Sequence, residues 1–378
     1  KTVRELLLCA FRCQPKLGHP TMHDHNAAQL LAKVMDWRDL DAPPLFLPTL
    51  QLLADYKYDH YQRFGPGRRF IESLALWLDQ FSPDDREAAL ELVTRRLVYF
   101  SDAEFTHLVT TAYPDLIVQE RMRLVSEEHD ISAHLVGKIS RHPRFKELRL
   151  KSLYLGLSDG ARTNELRRAS GGDITNEQIW QAYELSHEKA DDMLKELKAS
   201  LSDSGFKLEQ PRFNLIWLLD DFSGSGNTYI RYDSEKRAFK GKIKKIFERL
   251  HRGDLVDPSH YEVFLLLYTA TRQAIDHIEY WSERFTSEKG YKPLQVRVLC
   301  PIEQEISLKR EPDLKIRALL EKADYYDARA TDKHIEVGGT SDARMGFAGC
   351  ALPVVLSHNS PNNSIYILWG PESYKPFG

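Results

Sequence analysis

Cysteine is scarce. The 378 residues hold four, at Cys9, Cys13, Cys300 and Cys350, and none stands in a CxxC pair. A disulfide framework is therefore excluded, and the scarcity suits a reducing compartment. Cys9 and Cys13 lie four apart, the spacing of two small apolar residues on one helix face. Long apolar runs are lacking too. No uncharged stretch reaches the ~20 residues that span a bilayer, and residues 1–11 mix acid with base as an amphipathic helix does, not a secretory leader. A soluble, cytoplasmic protein with no membrane contact is expected. Nor is charge of one sign in excess: 52 Lys and Arg against 55 Asp and Glu give a formal net charge of −3. No global field draws such a chain to nucleic acid or to an anionic surface. What is present is 42% hydrophobic and 11% aromatic residues, enough to bury a sizeable core over two or three domains' worth of chain.

Helix punctuation dominates residues 1–145. Ser82-Pro83-Asp84-Asp85 offers an N-cap, a proline for the first helical position and acids for the first turn, with Ala88, Leu92 and Leu97 following at near-helical spacing. Ser101-Asp102-Ala103-Glu104 reads as a capping box ahead of Phe105, Leu108 and Val109. Gly65-Pro66-Gly67 breaks the chain before a helix predicted over 68–81, striped by Phe70, Leu74 and Trp77. Such stripes usually belong to a core. The region is expected to be all-helical, or winged-helix-like within 68–145.

From 146 to 378 the period changes. Strands are predicted at 151–157, 213–219, 263–268 and 294–299, with a fourth buried strand of this α/β region at Leu352–Leu356 after the opening one. Helices are predicted at 163–169, at 175–201 as an insertion opened by Thr175-Asn176-Glu177-Gln178, along Phe239, Ile243, Ile246, Phe247 and Leu250, and along Ala274, Ile275, Ile278, Trp281 and Phe285. Ile365–Trp369 reads as a strand or an apolar anchor. Continuous apolar strands alternating with helices argue for a mostly parallel sheet covered on both faces, with ligands beyond the carboxyl ends of its strands.

The sharpest signal is Leu218-Leu219-Asp220-Asp221-Phe222-Ser223-Gly224-Ser225-Gly226-Asn227-Thr228. An apolar strand delivers two carboxylates, then a small-residue loop, then an expected helix. Gly224 and Gly226 let backbone approach an anion. Successive amides form a nest for phosphate oxygens, the following helix adds its positive end, and Ser223, Ser225 and Thr228 supply hydroxyls. Two acids beside a phosphate site make sense if ribose hydroxyls or magnesium lie between them. A Walker A loop needs lysine where Asn227 stands, and a dinucleotide fingerprint needs glycine where Tyr229 stands.

Asp220-Asp221, three residues, Ser225-Gly226, one residue, Thr228 resembles the phosphoribosyl-pyrophosphate motif of type I phosphoribosyltransferases, with serine where threonine is common. The resemblance implies that Asp220 and Asp221 hold ribose hydroxyls and that Ser225, Gly226, Asn227 and Thr228 hold the 5-phosphate. Upstream, Ser158-Asp159-Gly160-Ala161-Arg162 has the order of that family's pyrophosphate loop. There Arg162 would contact the leaving diphosphate, and Asp159, with Asp220 and Asp221, would serve a magnesium ion. More broadly, Tyr56-Lys57-Tyr58-Asp59, Arg69–Leu74, Leu155–Arg162, the Asp-Asp loop and Ser357-His358-Asn359-Ser360-Pro361-Asn362-Asn363 resemble phosphoribosyltransferase-like proteins of bacterial conflict and anti-phage loci, some of them retron-associated. That implies an effector role and a protein partner, such as a reverse transcriptase with its nucleic acid. The chain departs from housekeeping members in the 175–201 segment and in having no recognisable base-binding hood.

Three further readings complete the expectation. His358, Asn359 and Asn362 would border the site, the imidazole moving a proton and the amides reading a base or diphosphate. Lys236, Arg237, Lys240, Lys242, Lys244, Lys245 and Arg249 crowd one segment, a solvated helix face or a nucleic-acid contact. The function expected is magnesium-dependent transfer or hydrolysis at ribose C1 of a phosphoribosyl compound or nucleotide. The alternatives are a non-catalytic nucleotide sensor and a winged-helix regulator.

Overall fold

The computed structural model describes residues 22–37, 45–62, 70–182, 187–331, 333–370 and 375–377. The expected first helix with Cys9 and Cys13, the break at Gly65-Pro66-Gly67, and Arg69 of the quoted motif lie outside the described residues.

Nine strands are present among them: β1 Val98–Phe100, β2 Ser152–Gly156, β3 Ile179–Gln181, β4 Leu215–Ser223, β5 Arg231–Asp233, β6 Ala238–Lys240, β7 Glu262–Thr271, β8 Leu294–Ile302 and β9 Val354–Leu356. Five form one parallel sheet in the order β3-β2-β4-β7-β8. The α/β class and the helical N-terminal region are as expected, and the sheet is of the type I phosphoribosyltransferase kind. The inner strands β2, β4 and β7 lack polar alternation because both faces are covered, whereas the edge strand β8 carries Gln295 and Arg297 between its apolar residues. Along β4 the side chains sort by pleat. Ile216 and Leu218 meet helices His187–Asp203, Lys242–Arg252 and Arg272–Lys289 on one face. Leu215, Trp217 and Leu219 meet Phe105, Val109, Ile117, Val125 and Leu166 on the other.

Local rules explain most boundaries. Ser101 and Glu104 make the reciprocal capping box that opens helix Asp102–Ala112. Thr271 ends β7 and caps the following helix by accepting from the Ala274 amide at 3.0 Å. Helix Phe70–Asp79 buries Phe70, Leu74 and Trp77, and its first amide donates to Asp59 at 2.6 Å. Among the described residues from 70 to 145 there is no antiparallel hairpin to serve as a wing; the one strand there, β1, pairs in parallel with β9.

Four expectations are corrected. Leu352–Leu356 is not a strand of the main sheet: β9 pairs with β1, and the strand missed is β3. The 175–201 helix is shorter. Thr175 and Gln178 do make a capping box, but it closes a single 3-10 turn before β3, and the helix runs from His187 to Asp203. No helix follows the Gly/Ser loop directly, because the β5–β6 hairpin intervenes and takes Phe239 into β6. Ile365–Trp369 is the apolar anchor, with a 3-10 turn over Tyr366–Leu368, and not a strand.

The two ends of the chain share a core. Leu31, Leu74 and Trp77 pack with Leu319, Val355, Leu368 and Phe377. The Phe377 ring lies 4.9 Å from Phe70, 5.3 Å from Tyr99 and 5.5 Å from Tyr58. We expect Phe377→Ala to destabilise the protein by about 3 kcal/mol, the usual cost of truncating a buried phenylalanine, read as a lower urea midpoint without a changed slope.

Candidate phosphoribosyl site

Parallel pairing aligns the carboxyl ends of β2, β4 and β7, and the site is built where they end. β4 runs four residues past Leu219, to Ser223, so Asp220 and Asp221 belong to the strand and their side chains leave on opposite pleats. Ser158 follows β2, and the turn after β9 brings His358 and Asn359 across. That turn is tight: the Leu356 amide donates to the Asn359 carbonyl at 2.8 Å, and the Asn359 amide returns the bond at 3.1 Å. The cavity so enclosed is about 210 Å3 in volume.

The two aspartates are not equivalent. Asp220 is buried, and its oxygens accept from the Ser158 hydroxyl, the Asp221 amide at 3.2 Å, the Tyr229 hydroxyl at 2.7 Å and the Lys242 ammonium at 3.2 Å. A carboxylate offers roughly four lone-pair positions, so Asp220 is saturated. Burial raises its pKa above the ordinary aspartate value; Lys242 opposes that rise and Asp221 adds to it. Burial raises the Tyr229 phenol further still, which keeps it a donor. Asp221 accepts from only two donors among the described residues, the Phe222 amide at 2.9 Å and His358 Nε2 at 3.0 Å. Burial pushes its pKa up, but the hydrogen bond and charge of His358, with the backbone amides, outweigh burial and leave it lowered. Asp221 therefore keeps accepting capacity on the cavity wall.

The loop supplies the complementary donors. Among the described residues, nothing accepts from the backbone amides of Gly224, Ser225, Gly226 or Thr228, whereas the Asn227 amide reaches Ser225 Oγ at 3.4 Å. The loop is held from behind, with Thr271 Oγ1 donating to the Gly224 carbonyl at 2.6 Å. Gly226 has φ +79°, a conformation that favours glycine. A Cβ on Gly224 would sit 2.4 Å from Asn363 Cγ, so two polar elements approach as closely as glycine permits. Gly160 plays the same part under Asp221, where a Cβ would meet Oδ2 at 2.3 Å.

Of the predicted residues, Ser158, Asp220, Asp221, Ser223, Gly224, Ser225, Gly226, Thr228, His358 and Asn359 line the cavity. Others do not. Arg162 is turned away: its guanidinium bonds Asp102 at 2.8 Å and Glu165 at 3.0 Å and covers the Phe105 ring at 5.0 Å. Two carboxylates and an aromatic face hold it more firmly than an open loop would. Asp159 is exposed and has no hydrogen-bond or ion-pair partner among the described residues. Asn362 is half-buried and does not line the cavity; its backbone carbonyl accepts from the Phe347 amide at 2.6 Å. Asn227 faces a neighbouring cleft. Three lining residues escaped sequence reasoning: Tyr229, Lys242 and Asn363. Lys242 was visible only as one of many lysines. Nothing in the sequence said that the hairpin would bring it back to Asp220.

The donor set bears on magnesium. No group of three or more His, Cys, Asp or Glu side chains among the described residues is placed to hold a metal ion, and Asp220 has no lone pair to spare. Among the described residues these side chains do not form a resident metal cage.

The opposite shifts predict opposite pH effects. Asp221's contribution to stability is present above the ordinary aspartate value of 3.8 and is lost as pH falls through its lowered folded value. Urea titrations should show Asp221→Asn destabilised near neutrality, the deficit closing below about pH 4. For Asp220, whose folded pKa is raised, stability is present below 3.8 and is lost as pH rises through the folded value. Asp220→Asn should accordingly gain on the wild type as pH rises through that window.

Comparison with curated proteins and with solved structures yields no match. The family model PRTase-CE does match, over residues 74–377, most of the chain including every cavity residue named above. The chain belongs to the PRTase-CE family of phosphoribosyltransferase-like proteins.

Proposed function

We propose that the protein binds a 5-phosphoribosyl compound, phosphoribosyl pyrophosphate or a nucleotide, and transfers or hydrolyses at ribose C1, acting as an effector in anti-phage defence. The observation that carries the chemistry is the pairing of unengaged loop amides at Gly224, Ser225, Gly226 and Thr228 with a half-engaged acid, Asp221, across one cavity. Amides suit phosphate oxygens. An acid with spare lone pairs suits vicinal hydroxyls. Few other ligands present an anion and a diol at that separation.

The roles divide as follows. Ser225–Thr228 hold the 5-phosphate, which anchors the sugar so that orientation at C1 is obtained from a remote contact. Asp221 accepts from the ribose hydroxyls. Asp220 positions Ser158, Tyr229 and Lys242 and meets the ligand through them. At C1 the bond to the leaving group breaks with its electron pair going to that group, and an incoming base or water bonds to C1. His358, held by Asp221 through Nε2, accepts the incoming group's proton on its other ring nitrogen. A magnesium ion carried on the diphosphate would supply charge neutralisation there. The defence role and a partnership with a reverse transcriptase and its nucleic acid rest on the sequence resemblance.

One observation favours a second reading, a sensor that binds without turnover: Arg162, the expected cation for a leaving diphosphate, is occupied by Asp102 and Glu165.

Mass spectrometry of reactions containing phosphoribosyl pyrophosphate or nucleotides, with magnesium, tests both. We expect phosphoribosyl products, and for Asp221→Ala affinity weaker on the order of 10- to 100-fold, the value of lost hydrogen bonds to a charged group. Turnover untouched by Asp221→Ala would sink the assignment, and tight binding with no product would establish the sensor.

A further inference from the structure

A second and larger cleft, about 580 Å3, adjoins the cradle. The two share Thr228 and Lys242 on their walls. The cleft exists because the β5–β6 hairpin is inserted between the Gly/Ser loop and helix Lys242–Arg252, so that hairpin, loop end and helix start face one another. Arg231 and Lys240 enter from the hairpin, Lys244 and Lys245 from the helix, and Glu248 is the one acid on the lining.

Its electrostatics are unfavourable as they stand. The first turn of the helix carries lysines at 242, 244 and 245 and no acid, and its Gly241 N-cap supplies no side-chain acceptor. Cations at the positive end of a helix are destabilising. Compensation is partial: Lys240 pairs with Asp233, Lys242 with Asp220, and Lys244 lies 3.8 Å from Glu248. Arg231 bonds only the Asn227 carbonyl, and Lys245 has no partner among the described residues. A bound anion would offset this charge. Part of the wall is apolar, from Phe239, Val337 and Phe347, as a ribose or base face requires.

Position selects the ligand. The cleft opens beyond Thr228, on the side of the cradle assigned to the 5-phosphate. A ligand that fills both cannot end at that phosphate. Resting on the phosphoribosyl reading of the cradle, we propose that the protein takes a nucleotide whose 5′-phosphate is itself linked onward through a diphosphate to a second ribose. One ribose lies by Asp221, the second phosphate lies among Lys244, Lys245 and Arg231, and the second ribosyl unit lies against Phe239. A polynucleotide is the less favoured occupant, since the cleft is of small-ligand size.

Isothermal titration of the full chain with AMP, ADP-ribose and a 5′-phosphorylated hexadeoxyadenylate tests this. AMP and ADP-ribose share adenosine 5′-phosphate and differ in the extension. We expect ADP-ribose to bind about 10-fold or more tightly than AMP, and Lys244→Gln/Lys245→Gln to remove that advantage while leaving AMP binding unchanged. Equal affinities, or a double variant that weakens both alike, would overturn the second subsite and leave the cradle standing. Tighter binding of the hexadeoxyadenylate would overturn it in favour of nucleic acid. Binding of none of the three would overturn the second subsite, and titration with phosphoribosyl pyrophosphate would then show whether the cradle fails with it.

Discussion

A carboxylate taken out of water must find donors for its lone pairs, and the site is organised by how Asp220 meets that demand. Its four donors come from three separate stretches of chain: Ser158 after β2, the Asp221 amide within β4, and Tyr229 and Lys242 flanking the inserted hairpin. Satisfying one buried acid thus ties the pyrophosphate-type turn, the sugar-phosphate loop and the start of the basic helix together. Asp221, one residue on, faces the other way along the pleat, where it holds His358 and keeps accepting capacity on the cavity wall. Of two adjacent and identical residues, one is architecture and the other is available for chemistry.

Much of this was legible in sequence. The apolar runs at 213–219 and 263–268 are the buried strands β4 and β7, and the alternating stretch 294–299 is the half-buried strand β8. The capping boxes at Ser101 and Thr175 form as read. The loop motif located the cavity, because paired acids followed by Gly-Ser-Gly have few uses other than to approach an anion. What failed was mostly long-range. Arg162 has the right place in its motif, yet Asp102 and Glu165 lie within reach of it, and the former is distant in sequence. Ile179–Gln181 is too short and too polar to announce an edge strand; it forms because β2 offers it a pairing partner. Tyr232 and Phe239 make a cross-strand aromatic pair at 5.2 Å that stabilises the hairpin, whereas Phe239, four residues before Ile243, imitated the start of the helix stripe. From the quoted motifs, Tyr58, Phe70, Ile71 and Leu74 serve the core. Tyr58 packs on Phe70 at 4.6 Å and Asp59 caps that helix.

The fold also shows why the family pattern spans so much of the chain. Core residues from 27 to 99 share one cluster with residues from 308 to 377, while the sheet between them packs its own two faces. Ion pairs repeat the connection, with Arg96 bound to Glu311 at 2.9 Å and Lys315 to Glu87 at 2.8 Å. The helical region is therefore packed onto the segment that carries the last wall of the cavity.

The small β1–β9 ladder bears directly on His358. β9 is only three residues long, and its pairing with Val98–Phe100 is continued by the Ser357 amide, which donates to the Phe100 carbonyl at 2.8 Å. The Ser357 carbonyl in turn accepts from the Gln62 amide at 2.8 Å. The imidazole next along the chain thus takes its position from the β1–β9 ladder and from Gln62, while β9 itself packs through Val354 and Leu356 on the main sheet whose central strand carries the aspartate. The two halves of that 3.0 Å contact belong to different sheets. Acid and base meet only because the short ladder is seated on the larger sheet, so the packing of Val354 and Leu356 sets the alignment of the pair.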